Sequence, residues 1–159
     1  IAGLVRSNLS DGKIAELNAL TRDEAMANNQ LASAERLVIE EAEAGLMLVK
    51  RALNTFADSN FDKAHIRNIT SSLDSVRGGL FVLGFVRASH IVAASIQFVD
   101  NMLLSQDLHP AIGHLLETFA DAIISLEYYI DAIKMDKDAD TSVLGVAEES
   151  LSALGFNVS

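Results

Sequence analysis

Asp74, Arg77, Gly78 and Gly79 sit close together in the stretch LDSVRGGLFVLG, Leu73 to Gly84. On a helix, an acid and a cation at i, i+3 form at most a weak surface pair, a few tenths of a kcal/mol. A carboxylate can also carry a phosphoryl group, but an acyl phosphate needs further acids and Mg²⁺ around it. No such acidic cluster surrounds Asp74. An imidazole nucleophile would have to come from His65, His90, His109 or His114. His90 lies in a polar stripe with Arg87, Gln97 and Asn101, which reads as a solvated face. His65 stands near the start of the glycine helix, His109 precedes Pro110 in a loop, and His114 falls in the first turns of the next helix. His114 and Glu117 share a helix face, yet a carboxylate-bridged metal bundle uses Glu-x-x-His pairs, and none occurs. Cysteine is absent, which excludes disulfides, thiolate metal sites and thiol nucleophiles. There is no phosphate-cradling glycine loop after a strand and no Gly-x-Ser-x-Gly. The acidic runs EEAEAG and DKDAD read as solvated faces and loops. The expectation is a chain with no catalytic residue, no metal, no cofactor and no small-molecule substrate.

The elements that carry these residues are all helical. With 159 residues, half of them apolar, the chain can bury one ordinary core. A single proline, Pro110, and abundant alanine and leucine favour helix throughout. The net charge of −10 argues against a nucleic-acid partner, since phosphate binding needs a basic surface. No apolar run approaches the ~18 residues of a membrane span, and no membrane insertion is expected. The lack of cysteine fits the cytoplasm. The chain opens on Ile1 rather than Met and reads as a piece of a longer protein.

Residues 1–30 read as an N-terminal extension with a short helix near Asp11–Leu20, and 31–159 as a helical bundle. Thr21 and Glu24 have capping-box spacing and predict a new helix, with Asn28 and Asn29 as the favoured break. The stripe Val38, Ala42, Gly45, Val49, Leu53, Phe56 marks its inner face. The next helix, about Phe61 to Leu83, carries Ile66, Ile69, Leu73, Val76, Leu80 and Leu83, with Gly84 as its stop. A third, about Val86 to Ser105, is apolar on two sides and should pack on two neighbours. Pro110 fits the first turn of a fourth helix bearing Ile112, Leu115, Phe119, Ile123, Leu126, Ile130 and Ile133. A last helix near Thr141–Leu154 ends at Gly155. Short connections predict an antiparallel four-helix bundle with extra short helices at both ends.

Two glycines inside a helix cost roughly 1 kcal/mol each relative to alanine. At about 100° per residue, Gly78 falls opposite the apolar stripe, flanked by Ser71, Ser75 and Val82. Asp74 and Phe81 share one side, and Arg77 stands at the shoulder. The outer face, with Ser71, Ser75, Gly78 and Gly79, is thinned of bulk, and a second backbone can approach it closely. Ser71, Asp74, Ser75, Arg77, Gly78 and Phe81 are therefore the candidate partner-binding residues.

This pattern resembles histidine phosphotransfer (Hpt) domains, which relay phosphoryl groups between histidine kinases and receiver domains. Their motif is His-x-x-Lys-Gly with a further Gly six residues on. Asp74 stands at the position of the phosphorylated histidine, Arg77 at the lysine, Gly78 at the adjacent glycine and Gly84 at the later one. LDSVRGGLFVLGFVRASHIV, FADAIISLEYYIDAI and VLGVAEESLSALGF also resemble the N-terminal region of the chemotaxis-like hybrid histidine kinases of type IV pilus and twitching systems, over roughly residues 34–156. The resemblance implies an Hpt-like bundle whose partner is a response-regulator receiver domain or another domain of the same kinase. Because Asp74 replaces the histidine, it implies docking without phosphorylation. The alternatives are relay through a histidine elsewhere, or a purely structural bundle with residues 1–30 covering the glycines.

Overall fold

The computed structural model of the chain describes residues 10–158. Among these are five α-helices and no strand: α1 (Asp11–Asp58), α2 (Ile69–Val82), α3 (Val86–Phe98), α4 (Ile112–Met135) and α5 (Leu144–Ala153). The first residues of the expected N-terminal extension, before residue 10, lie outside the described residues. The chain divides after Arg36 into two compact units.

α1 is one uninterrupted helix where the sequence predicts a break and a fresh start. Thr21 does not cap: its Oγ1 donates to the Leu17 carbonyl at 2.9 Å, the back-bond that keeps a threonine inside a helix. Asn28 and Asn29 are carried within it. In the N-terminal unit Leu17, Leu20, Met26 and Leu31 are exposed. In the second unit α1 buries Ile39, Ala42, Leu46, Val49, Leu53 and Phe56, at helical spacing.

Three helices end in the same way, and each ending delivers a phenylalanine to another ring. After α1, Asn60 is left-handed (φ 57°) and the Phe61 N–H reaches back to the Phe56 carbonyl at 2.8 Å. After α2, Gly84 (φ 87°) precedes a Phe85 N–H bonded to the Leu80 carbonyl at 2.9 Å. After α5, Gly155 (φ 92°) precedes a Phe156 N–H bonded to the Leu151 carbonyl at 2.9 Å. This six-to-one bond after a left-handed residue satisfies carbonyls that the helix end leaves open. The residue that follows then folds back on the core. Phe61 meets Phe56 edge-on at 5.5 Å, Phe85 meets Tyr129 at 6.2 Å, and Phe156 meets Phe98 at 5.8 Å.

α2 starts later than its sequence predicts. Phe61 is itself left-handed (φ 67°), and Asp62 accepts the Ala64 N–H at 3.0 Å to start a single 3₁₀ turn at Lys63–His65. Lys63 Nζ donates to the Ser105 and Gln106 carbonyls and ties this turn to the far end of α3. α3 is shorter than predicted because it widens into a π turn over Val99–Leu103. Pro110 lies before the first turn of α4, and His109 Nδ1 accepts the Ala111 N–H at 3.0 Å. α3 packs against both α2 and α5, and α4 packs against α5. Phe98 and Phe119, with centroids 4.5 Å apart, join α3 to α4. The buried serines Ser89 and Ser95 bond carbonyls of their own helix, and Ser125 Oγ donates to the Val143 carbonyl at 2.6 Å. No helix among the described residues is long and apolar enough to cross a membrane.

Candidate docking surface

The buried stripe of α2, Ile69, Leu73, Val76 and Leu80, fixes which way its other side chains face. Ser71, Asp74, Ser75 and Phe81 are exposed, and Arg77 and Gly78 are half-exposed. Arg77 Nε and Nη2 both donate to Asp74 Oδ1, at 3.0 and 2.8 Å, so the only acid of this face is already neutralised. Phe81 keeps 56% of its surface in water and the adjoining Val82 79%. A Cβ added at Gly78 would meet nothing within 4 Å outside its own helix. The middle of the face is open, with the held Asp74–Arg77 pair before it along the helix and the exposed Phe81 and Val82 after it.

The two neighbouring glycines have different roles, which their adjacency in sequence conceals. A Cβ at Gly79 would lie 3.0 Å from Val38 Cγ1, so Gly79 faces α1 and not the thinned outer surface expected of it. Gly45 of α1 is closer still to α2, with Val76 Cγ2 at 2.7 Å from its added Cβ. Gly45 and Gly79 let α1 and α2 approach, and Gly78 alone leaves a gap. The helix spacing of Gly79 from Val76, at i+3, was the signal for its inward lean.

The other titratable groups make surface ties. Arg87 Nε and Nη2 donate to Glu148 at 3.1 and 2.5 Å, and its Nη1 donates to the Thr141 carbonyl and hydroxyl at 3.2 and 3.0 Å. This guanidinium clips α3 to α5 and holds the Glu148 carboxyl below its ordinary range. Lys134 Nζ bonds both carboxylate oxygens of Glu43 at 3.0 and 3.1 Å, joining α4 to α1, and Lys50 pairs with Glu127 at 3.3 Å. Lys134 first, then Asp131, lowers the Glu43 carboxyl; the bond shared with Glu43, then burial, raises that of Asp131. Burial pushes the Tyr129 phenol up. His90 is exposed. His65 lies 3.9 Å from Asp62, and His114 lies 3.9 Å from Glu117 at the open surface. Among the described residues no three metal-ligating side chains converge.

Residues 29–151 match the model of the FimL C-terminal domain family, most of the chain's length. The chain belongs to the FimL C-terminal domain family. A protein named Scaffold protein FimL, from Pseudomonas aeruginosa, is 40% identical over 136 residues, covering 85% of this chain. That stretch is 24% of the relative's length, so the chain spans about a quarter of the protein it resembles. No solved structure matches. Asp74, Gly78 and Phe81 all fall inside the region assigned to the FimL C-terminal domain.

Proposed function

We propose that this FimL C-terminal domain is a non-catalytic protein-docking module, built as a degenerate Hpt-like bundle and serving a phosphorelay that governs type IV pili. In this reading residues 31–159 form an antiparallel four-helix bundle in the cytoplasm, and residues 1–30 lead into it. The face of α2 receives a response-regulator receiver domain or another domain of the signalling assembly. The observation that carries it is the open space at Gly78, bordered by the exposed Phe81 ring and the Asp74–Arg77 pair. A helix interior that gives up about 1 kcal/mol for a glycine touching nothing keeps that site free of bulk for another molecule. Asp74 stands where the Hpt motif places its nucleophile, and its carboxylate oxygen accepts both Arg77 bonds. The relative's printed name, a scaffold protein, supports docking over phosphoryl transfer, and a scaffold over a kinase core as the setting.

Binding of purified receiver domains from a type IV pilus signalling system, measured by calorimetry with wild type and Gly78→Arg, tests the face. Arginine projecting into the gap is expected to weaken binding by about tenfold or more, some 1.4 kcal/mol. Equal affinities would refute the assignment. A parallel incubation with a kinase core and labelled ATP is expected to leave the domain unlabelled; acid-labile label would establish relay instead.

A further inference from the structure

A second unpartnered surface lies on α4. Glu117, Asp121, Ile124, Tyr128, Asp131 and Met135 recur at spacings of four and three, and every one is exposed. Tyr128 is 66% and Met135 88% in water. The stripe holds three acids, three apolar side chains and no base.

Grooves run along both sides of it. Between α4 and α5, Ile124, Tyr128, Val143 and Val146 line an apolar depression of about 270 Å³ with Asp121 on its rim. Between α1 and α4 a groove of about 370 Å³ has Leu46, Met47 and Ile130 as its apolar lining. Its rim carries Glu43, Glu127 and Asp131, with Lys50 and Arg51 on the α1 side. Lys134 is committed to Glu43 and Lys50 to Glu127. Among the described residues neither Asp121 nor Asp131 makes an ion pair; Asp131 shares a bond with Glu43 beside Lys134, whereas Asp121 sits on the rim of an α4/α5 groove whose lining holds no base.

We propose that this α4 surface docks a basic amphipathic helix of a partner protein. Apolar side chains at i, i+3 or i+4 and i+7 of that helix fill the α4/α5 groove over Ile124 and Tyr128. Its lysines or arginines meet Asp121 and Asp131, which stand about 15 Å apart along α4 at 1.5 Å per residue. Three turns of partner helix span that distance. Charge excludes a second copy as the occupant: pairing two such stripes sets acid against acid in chains that each carry −10. The proposal concerns a different helix from the Gly78 face and does not rest on it.

Fluorescence anisotropy with two labelled peptides tests it. Both have leucines on one helical face; one has lysines on the other face, and its twin has glutamates there. The lysine peptide is expected to bind wild type and the glutamate twin is not. Ile124→Glu and the pair D121K/D131K should each weaken binding at least about tenfold, with circular dichroism unchanged. D23K/E24K, which reverses as much charge elsewhere, and Gly78→Arg should bind as wild type does. Two results would overturn the proposal. One is undiminished binding to D121K/D131K or Ile124→Glu; the other is sedimentation of the free chain as a dimer that Ile124→Glu dissociates.

Discussion

Replacing Gly45 with alanine probes the close approach of α1 and α2, because two effects of opposite sign compete there. In a helix interior the substitution gains about 1 kcal/mol from reduced chain entropy. Its new Cβ, however, would lie 2.7 Å from Val76 Cγ2 and 3.7 Å from the Ser72 carbonyl. Carbon atoms rest at about 3.5–4.0 Å, so the overlap with Val76 is on the order of 1 Å. Val76 is 2% exposed and, as a β-branched residue in a helix, has little rotamer freedom with which to retreat. Overpacking of this kind costs about 1–3 kcal/mol. The clash therefore wins, and Gly45→Ala should lower stability by about 1 kcal/mol net. Val76→Ala removes the clashing methyl, so in that background Gly45→Ala should stabilise by about 1 kcal/mol, a coupling of about 2 kcal/mol. Urea unfolding of the four proteins at constant m-value measures each leg. Stabilisation by Gly45→Ala alone, or no change of sign in the Val76→Ala background, would show that Gly45 does not press on Val76.

Gly78→Ala carries no such clash and should raise stability by about 0.5–1 kcal/mol, seen as a higher thermal midpoint; a lower midpoint would mean that the site is covered. Glu148 has its folded pKa depressed by Arg87, so its contribution is present above its unfolded value near 4.5 and fades as pH falls through the lower folded value. Arg87→Met should accordingly lose more stability at pH 7 than at pH 3, and an equal loss at both would assign the effect to packing. Asp131 has the opposite sign: its folded pKa is raised, so its charge costs stability above that value, and the cost vanishes below its unfolded value near 3.8. Asp131→Asn should then stabilise the domain at pH 7 and be neutral at pH 3. Destabilisation at pH 7 would show that the Glu43–Asp131 contact favours the fold.

Apolar periodicity made the inner faces legible: Ile69, Leu73, Val76 and Leu80 of α2 and Ile123, Leu126, Ile130 and Ile133 of α4 are buried where their spacing places them. Gly84 and Gly155 end their helices through positive φ, as stop signals do. The turn ADSNFD after α1 is legible from its Ser, Asn and Asp, and Ser59 and Asp62 do bond the local backbone; the left-handed Phe61 and its packing on Phe56 are not legible in local sequence. Thr21 misled because the same hydroxyl can cap a helix or bond back within one, and the continuing turn decided. At the candidate face, the outward direction of Asp74 and Phe81 followed from helical phase alone. The inward lean of Gly79 is signalled by its i+3 spacing from Val76, but how closely it is approached is not, since that depends on where Val38 of α1 arrives.

Docking of a receiver domain on the Gly78 face is tested by NMR of the ¹⁵N-labelled chain while that domain is titrated in. Docking on α2 should give shift changes centred on the amides of residues 71–81, lost in Gly78→Arg. Binding that leaves these amides unmoved would contradict it.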